Sequence, residues 1–181
     1  TIDKAFNIIQ EKNPMIPDKQ KVAHLVGVGA IIFGDLMNDR IKDIVFDWDK
    51  ILDFEGDTGP YLQYTHARAC SILRKAKSEG IHISKPFKPE TLSSPCEQLL
   101  IRKLMCFPEI VKDSCKQLRP HILAQYALSL ARQFNEFYQS CSCINEHDKN
   151  IRNARLNLVL ASKQVIKTSL NLLGISALEE M

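Results

Sequence analysis

No stretch of this 181-residue sequence holds the roughly 18 to 20 consecutive apolar residues that a helix needs to span a bilayer, and none resembles a secretory leader. Glycine is scarce, at seven residues, and no glycine-rich loop is followed by the Lys-Ser/Thr pair of a nucleotide-binding loop. The one superficial match, VGVGA at 26–30, has neither a strand before it nor a lysine after it. We read Gly27 and Gly29 as sites of close helix packing. Five scattered histidines leave no Ser/His/Asp or Cys/His grouping, so no complete catalytic constellation is visible. The sequence also lacks the Cys-x2-Cys spacing usual for structural zinc.

Six cysteines are present, at 70, 96, 106, 115, 141 and 143. The four from Cys70 to Cys115 stand singly in apolar helical patterns, where a free thiol acts as a small hydrophobe. A chain with its own core does not need disulfide staples, which points to reduced thiols and a cytoplasmic setting. Cys141, Cys143 and His147 are open to two readings, the start of a zinc site or a packed helix end. The first lacks an obvious fourth ligand.

Hydrophobic residues make up 45% of the chain, enough for a substantial core and incompatible with disorder. The net charge of +3 is unevenly spread. Residues 35–57 hold eight carboxylates against three cations, −5, whereas residues 58–181 carry 17 cations and ten carboxylates, +7. A basic C-terminal two-thirds suits a polyanionic partner, although solvated helix surface has the same composition. The carboxylates Asp47, Asp49, Asp53, Glu55 and Asp57 are irregularly spaced around Lys50, which favours a solvated connector with helix-capping roles over a metal or acid/base site.

The pattern along the chain is helical. A short helix over 1–12 ends before Asn13-Pro14, and Asp18 caps a second that runs towards Leu36. Residues 38–48 form a connector in which Ile44-Val45-Phe46 is a candidate short strand. Thr58-Gly59-Pro60 opens a long helix with a buried stripe at Leu62, His66, Ala69, Ile72, Leu73 and Ala76. Residues 80–95, with three prolines and no apolar period, read as an exposed loop. Helices resume over 97–100 and 109–118, then from Pro120 with Leu123, Ala127, Leu130, Phe134, Phe137 and Cys141 on one stripe. A last helix covers 148–173, with Gly174 as its stop. The fold class is all-α, a helical bundle preceded by a short, mainly helical connector.

At about 100° per residue, Tyr61, Tyr64, Arg68 and Lys75 share an arc of about 60° beside the buried stripe of the long helix. Two rings and two cations on one edge suit unpaired bases and phosphates. Tyrosines that simply flank a core stripe have the same spacing, and a helical protein-interaction module is the alternative reading.

Residues 26–76, VGVGAIIFGDLMNDRIKDIVFDWDKILDFEGDTGPYLQYTHARACSILRKA, resemble arginyl-tRNA synthetase. So do FNEFYQSC (134–141), NIRNARL (150–156) and LLGISALEEM (172–181). The His-x-Gly-His and Lys-Met-Ser-Lys-Ser motifs of class I synthetases are absent from the sequence, which begins at Thr1 as though just beyond the second. The resemblance implies a stem-side connector (1–57) followed by an α-helical anticodon-binding domain (58–181). The whole enzyme would use ATP and Mg2+ to attach arginine to tRNA, while this part would need no cofactor and would bind the anticodon loop of arginine tRNA as a monomer, without DNA or membrane partners. Carried over, the anticodon-binding residues are Tyr61, Tyr64, Arg68, Tyr138 and Met181, with Lys75 as a phosphate contact. Two positions depart from the family pattern. Ser142-Cys143 stands where proline and an aliphatic residue are common, and Glu180 stands where arginine often precedes the final methionine.

Overall fold

A computed structural model describes residues 1–41, 43, 47–84 and 88–181. Within them run eight α-helices: α1 (Ile2–Lys12), α2 (Lys19–Leu36), α3 (Trp48–Ile51), α4 (Gly59–Ser78), α5 (Pro95–Met105), α6 (Phe107–Gln117), α7 (Pro120–Ser140) and α8 (Lys149–Leu172). A 3-10 turn, Pro89–Thr91, precedes α5, and no strand occurs among the described residues. The strand expected at 44–46 falls outside them.

Local chemistry accounts for several helix ends. Asp18 caps α2, Asp148 accepts from the Asn150 and Ile151 amides at 2.7 and 3.1 Å to cap α8, and Thr58 Oγ1 accepts from the Tyr61 amide at 3.2 Å to cap α4. Gly174, at φ +75°, terminates α8 where the sequence places its stop. The fifth helix starts two residues earlier than its apolar pattern, at Pro95, because Glu97 accepts from the Ser94 amide at 2.8 Å.

α4 is the central element and packs against α2, α7 and α8. Its expected stripe is buried, with Leu73 half-buried, and so is the whole expected stripe of α7. The larger core joins α4, α5, α7 and α8 around Leu62, Leu130, Phe134, Phe137 and Ile166. A smaller one gathers Ala5, Ile9, Ala23, Val26 and Leu52 between α1, α2 and α3, with Leu178 and Met181 laid against it. The C-terminal segment reaches both, since Ile175 is buried in the larger core.

Two expectations are corrected. The segment 80–95 is not wholly an exposed loop. Leu92 is buried, Ile81 and Ile83 pack on the core, and Asn153 and Asn157 of α8 both donate to the Ser84 carbonyl at 3.2 Å. Three apolar residues at irregular spacing were enough to dock it without a helical period. Cys106 and Cys115 are exposed, outside the apolar stripes to which their pattern assigned them, because α5 and α6 turn their remaining apolar faces inward at Leu100, Leu104, Ile110 and Val111.

The glycines of 26–30 lie inside α2 and serve packing. A Cβ on Gly29 would come within 3.0 Å of Gln63 and Ile175, and one on Gly27 within 3.1 Å of Ile2. Gly59 is tighter still. Its Cβ would sit 2.5 Å from the Gly29 carbonyl oxygen and 2.9 Å from Phe33 Cβ, so α2 and α4 cross nearly backbone to backbone. Gly59→Ala is expected to lower stability by about 1–3 kcal/mol through overpacking, despite alanine's better helix propensity. Urea unfolding checks this, with Gly80→Ala, at a position with open space around it but φ +72°, as a comparison for backbone strain alone.

Candidate nucleic-acid interface

A groove of about 710 Å³ opens between the start of α4, the end of α7, α1 and the C-terminus. Tyr61, Tyr64 and Arg68 of α4, Asn135 and Gln139 of α7, and Met181 line it, with Ile8, Ile9, Asn13, Phe54 and Glu55 closing the side formed by the first 57 residues. It therefore takes walls from four separate stretches of the sequence.

Tyr61, Tyr64, Arg68 and Asn135 form one network, joined by Thr65. Asn135 Oδ1 accepts from Arg68 Nη1 at 2.9 Å, and Asn135 Nδ2 donates to the Tyr61 hydroxyl at 2.8 Å and to Thr65 Oγ1 at 3.3 Å. Arg68 Nη2 donates to the Tyr64 hydroxyl at 3.0 Å, and the guanidinium carbon lies 4.8 Å from the Tyr64 ring centroid. The hydrogen bonds of Arg68 thus go to neutral oxygens, leaving its positive charge available to an anion. Tyr61 is half-buried against the larger core, whereas Tyr64 is 37% exposed.

The last residues are stapled across α4. Gln63 Nε2 donates to the Leu25 and Ser176 carbonyls at 3.2 and 2.9 Å. His66 Nδ1 is 2.7 Å from the Leu178 carbonyl, Arg74 Nη1 donates to the Glu179 carbonyl at 3.0 Å, and Asn13 Nδ2 donates to the Met181 main-chain oxygen at 3.1 Å. Glu180, the acidic departure, pairs with Arg74 at 3.4 Å, so its charge is met by a cation beside the groove. Met181 is thereby held in the wall.

Not every residue singled out from sequence converges here. Tyr61, Tyr64, Arg68 and Met181 do. Tyr138 is exposed on α7, one turn past Asn135, and does not line the groove; Lys75 lies two turns along α4, 3.9 Å from Glu79. Asn135, Gln139 and Asn13 were missed. Asn135 stood inside the FNEFYQSC block, but an asparagine on a helix flank has no periodic signature.

Cys141 and Cys143 are buried, His147 is exposed, and among the described residues no group of three or more His, Cys, Asp and Glu side chains is arranged to hold a metal. Cys141 Sγ lies 3.0 Å from Cys96 Sγ; burial and this contact push the Cys141 thiol up to about 11, and burial takes Cys143 to about 12. Both are neutral packing groups at ordinary pH. Gly27 and Gly29, enclosed by side chains, offer no cradle to a nucleotide phosphate.

A helical domain whose groove is lined by tyrosines, amides and one arginine is what the geometry shows, and comparison with known proteins gives its family. The chain belongs to the DALR anticodon binding domain family, whose model matches residues 62–181. The model of the class I (R) tRNA synthetase catalytic domain matches residues 1–48. The chain is 45% identical over 181 residues to an arginine–tRNA ligase of Clostridium botulinum and 44% identical over 182 to that of Clostridium beijerinckii, covering 100% and 99% of this chain. It spans 31% of the length of each of these relatives. Among solved structures, Thermus thermophilus arginyl-tRNA synthetase superposes with a TM-score of 0.90 at 38% identity, over 99% of this chain and 31% of that one. Arginyl-tRNA synthetase from Plasmodium falciparum gives 0.81 at 27% identity, over 99% and 33%.

The tail staple carries a pH dependence. Burial lowers the pKa of His66 from 6.5, Lys163 and Lys167 lower it further, and the Leu178 carbonyl and Glu179 oppose the shift. Above pH 6.5 the imidazole is neutral in both folded and unfolded chains. As pH falls through that value the unfolded chain takes up a proton that folded His66 resists, so this contribution to stability is lost on acidification. Urea unfolding at pH 7.5 and 5.5 should show a drop in wild-type stability that is smaller in His66→Gln.

Proposed function

We propose that this chain binds the anticodon loop of arginine tRNA, with residues 1–57 as a connector and residues 58–181 as the anticodon-binding domain of an arginyl-tRNA synthetase of the cytoplasm. The observation that carries the reading is the convergence of Tyr61, Tyr64, Arg68 and the C-terminal Met181 on one groove, within the region matched by the anticodon binding family. Unpaired anticodon bases present flat π-faces and hydrogen-bonding edges, which tyrosines and amides can meet, while Arg68 and, further along α4, Lys75 meet phosphate. Tyr138, exposed at the end of α7, contacts the loop from outside the groove. The chain acts as a monomer, with no DNA or membrane partner.

The complete enzyme joins arginine to tRNA with ATP and Mg2+. This chain contributes RNA binding and needs neither for that task. Alone it should neither activate arginine nor charge tRNA, because its sequence holds neither the His-x-Gly-His nor the Lys-Met-Ser-Lys-Ser motif that would handle ATP and stabilise the adenylate's transition state. An aminoacylation assay with ATP, arginine and arginine tRNA checks this; charging by the pure chain above a no-protein control would contradict it.

Binding titrations over a range of salt, using a cognate and a scrambled anticodon stem-loop, test the site. Tyr64→Ala and Tyr138→Ala should each cost about 1–3 kcal/mol on the cognate loop, with little change in salt slope. Arg68→Ala should weaken both RNAs and reduce the salt slope by about one phosphate. Folded tyrosine variants that both bind the cognate loop as wild type does would place the site elsewhere.

A further inference from the structure

Asn135 sits where the groove's hydrogen bonds meet. Arginine can only donate, so the atom 2.9 Å from Arg68 Nη1 must be the amide oxygen, which sets the orientation of the whole side chain. Thr65 Oγ1 donates to the Tyr61 main-chain carbonyl at 2.9 Å, so towards Asn135 it accepts. Both amide protons are then committed, one to Thr65 and one to the Tyr61 hydroxyl. The consequence falls on the tyrosines. Tyr61 accepts from Asn135 and Tyr64 accepts from Arg68, so among the described residues neither phenol spends its own proton. Without Asn135, Arg68 loses the partner that holds it on Tyr64, and the Tyr61 hydroxyl turns freely.

We propose that Asn135 is the positioning residue of this groove, fixing Tyr61 and Tyr64 as hydrogen-bond donors so that the groove selects an unpaired base presenting acceptor atoms, a carbonyl oxygen or a ring nitrogen, on its exposed edge. This rests on the anticodon-loop reading and adds to it a role for a residue that itself need not touch RNA. The order is imposed by charge type. The arginine fixes the amide, the amide fixes the first phenol, and the arginine's second nitrogen fixes the other.

The test is Asn135→Asp in the full 181-residue chain. The carboxylate keeps the size and the Arg68 contact but cannot donate, so the Tyr61 proton is drawn to it and withdrawn from the ligand. Expected is a loss of at least about tenfold in affinity for the cognate stem-loop and of most of its preference over the scrambled loop, with the salt slope reduced by about one phosphate because the new carboxylate pairs with Arg68. Tyr61→Phe should cost a similar factor in the wild-type background and almost nothing on top of Asn135→Asp, since both remove the same donor. A merely structural asparagine would instead weaken both RNAs equally, with additive losses. Either that pattern, or cognate binding within twofold of wild type by folded Asn135→Asp, would overturn the proposal. Side-chain amide NMR of the free protein separates this from failure of the groove reading. The Asn135 NH2 signals should move in Tyr61→Phe and in Arg68→Ala, and signals that stay put would overturn the positioning role whatever the RNA does. Binding of neither loop by the wild-type chain would overturn the groove reading and the donor assignment with it.

Discussion

The groove depends on the attachment of the C-terminal segment to α4. Gln63, His66 and Arg74 lie along one side of that helix, and each bonds a main-chain carbonyl of residues 176–179. Extended backbone laid over a helix leaves its carbonyls unsatisfied unless side chains reach them, and a buried orphan costs about 1–3 kcal/mol. A glutamine, a neutral histidine and an arginine supply those donors. Apolar contact completes the anchor, with Ile175 in one core and Leu178 and Met181 against the other. Two of the three donors are fully buried, so the segment is part of the fold.

The turn that follows α7 is held by charge. Arg155 of α8 meets Glu97 at 2.6 Å, Glu146 at 2.7 Å and the Ser142 carbonyl at 2.8 Å, tying the start of α5 and the turn after α7 to one guanidinium. Glu97 is almost completely buried, and a buried carboxylate is tolerated only when paired and fully hydrogen-bonded. It meets that condition by also accepting from the Ser94 amide. This brace keeps the α7–α8 turn in place and with it the end of α7 that carries Asn135 and Gln139. The two cysteines of the turn pack as neutral thiols beneath it.

Much of the fold was legible because helices announce themselves. Stripes of period 3.6, proline at the first turn, Thr58, Asp148 and Gly174 are local signals, and local signals survive in a sequence. Arg68 and the two α4 tyrosines were also legible, being three and four residues apart on one helix. What could not be read was chemistry between distant segments. Asn135 is 74 residues from the hydroxyl it orients, and Asn13 is 168 residues from the main-chain oxygen it binds. His66 was legible as a residue of the buried stripe, but its partner, the Leu178 carbonyl, was not. The docked segment 80–95 was misread for the same reason, since Ile81, Ile83 and Leu92 have no period to reveal the face they cover. Met181 was placed by family resemblance alone, and nothing in its neighbours' periodicity points to a groove.

The change of sign in charge near residue 57 is a boundary of composition, and the packing runs across it. Gly59 presses on Gly29, Gln63 reaches back to Leu25, and Asp57 pairs with Arg132 of α7. The smaller core, built mainly from the first 52 residues, supports the last four. The groove therefore takes lining from each side of that boundary, α1 with Asn13 from one and α4 with Arg68 from the other. Separating the two parts would remove one wall and the partner of Met181 together. The acidic segment also contributes Glu55 to the groove lining, which it shares with Arg68. Under the proposed reading, a polyanion in the groove is attracted by Arg68 and repelled by Glu55.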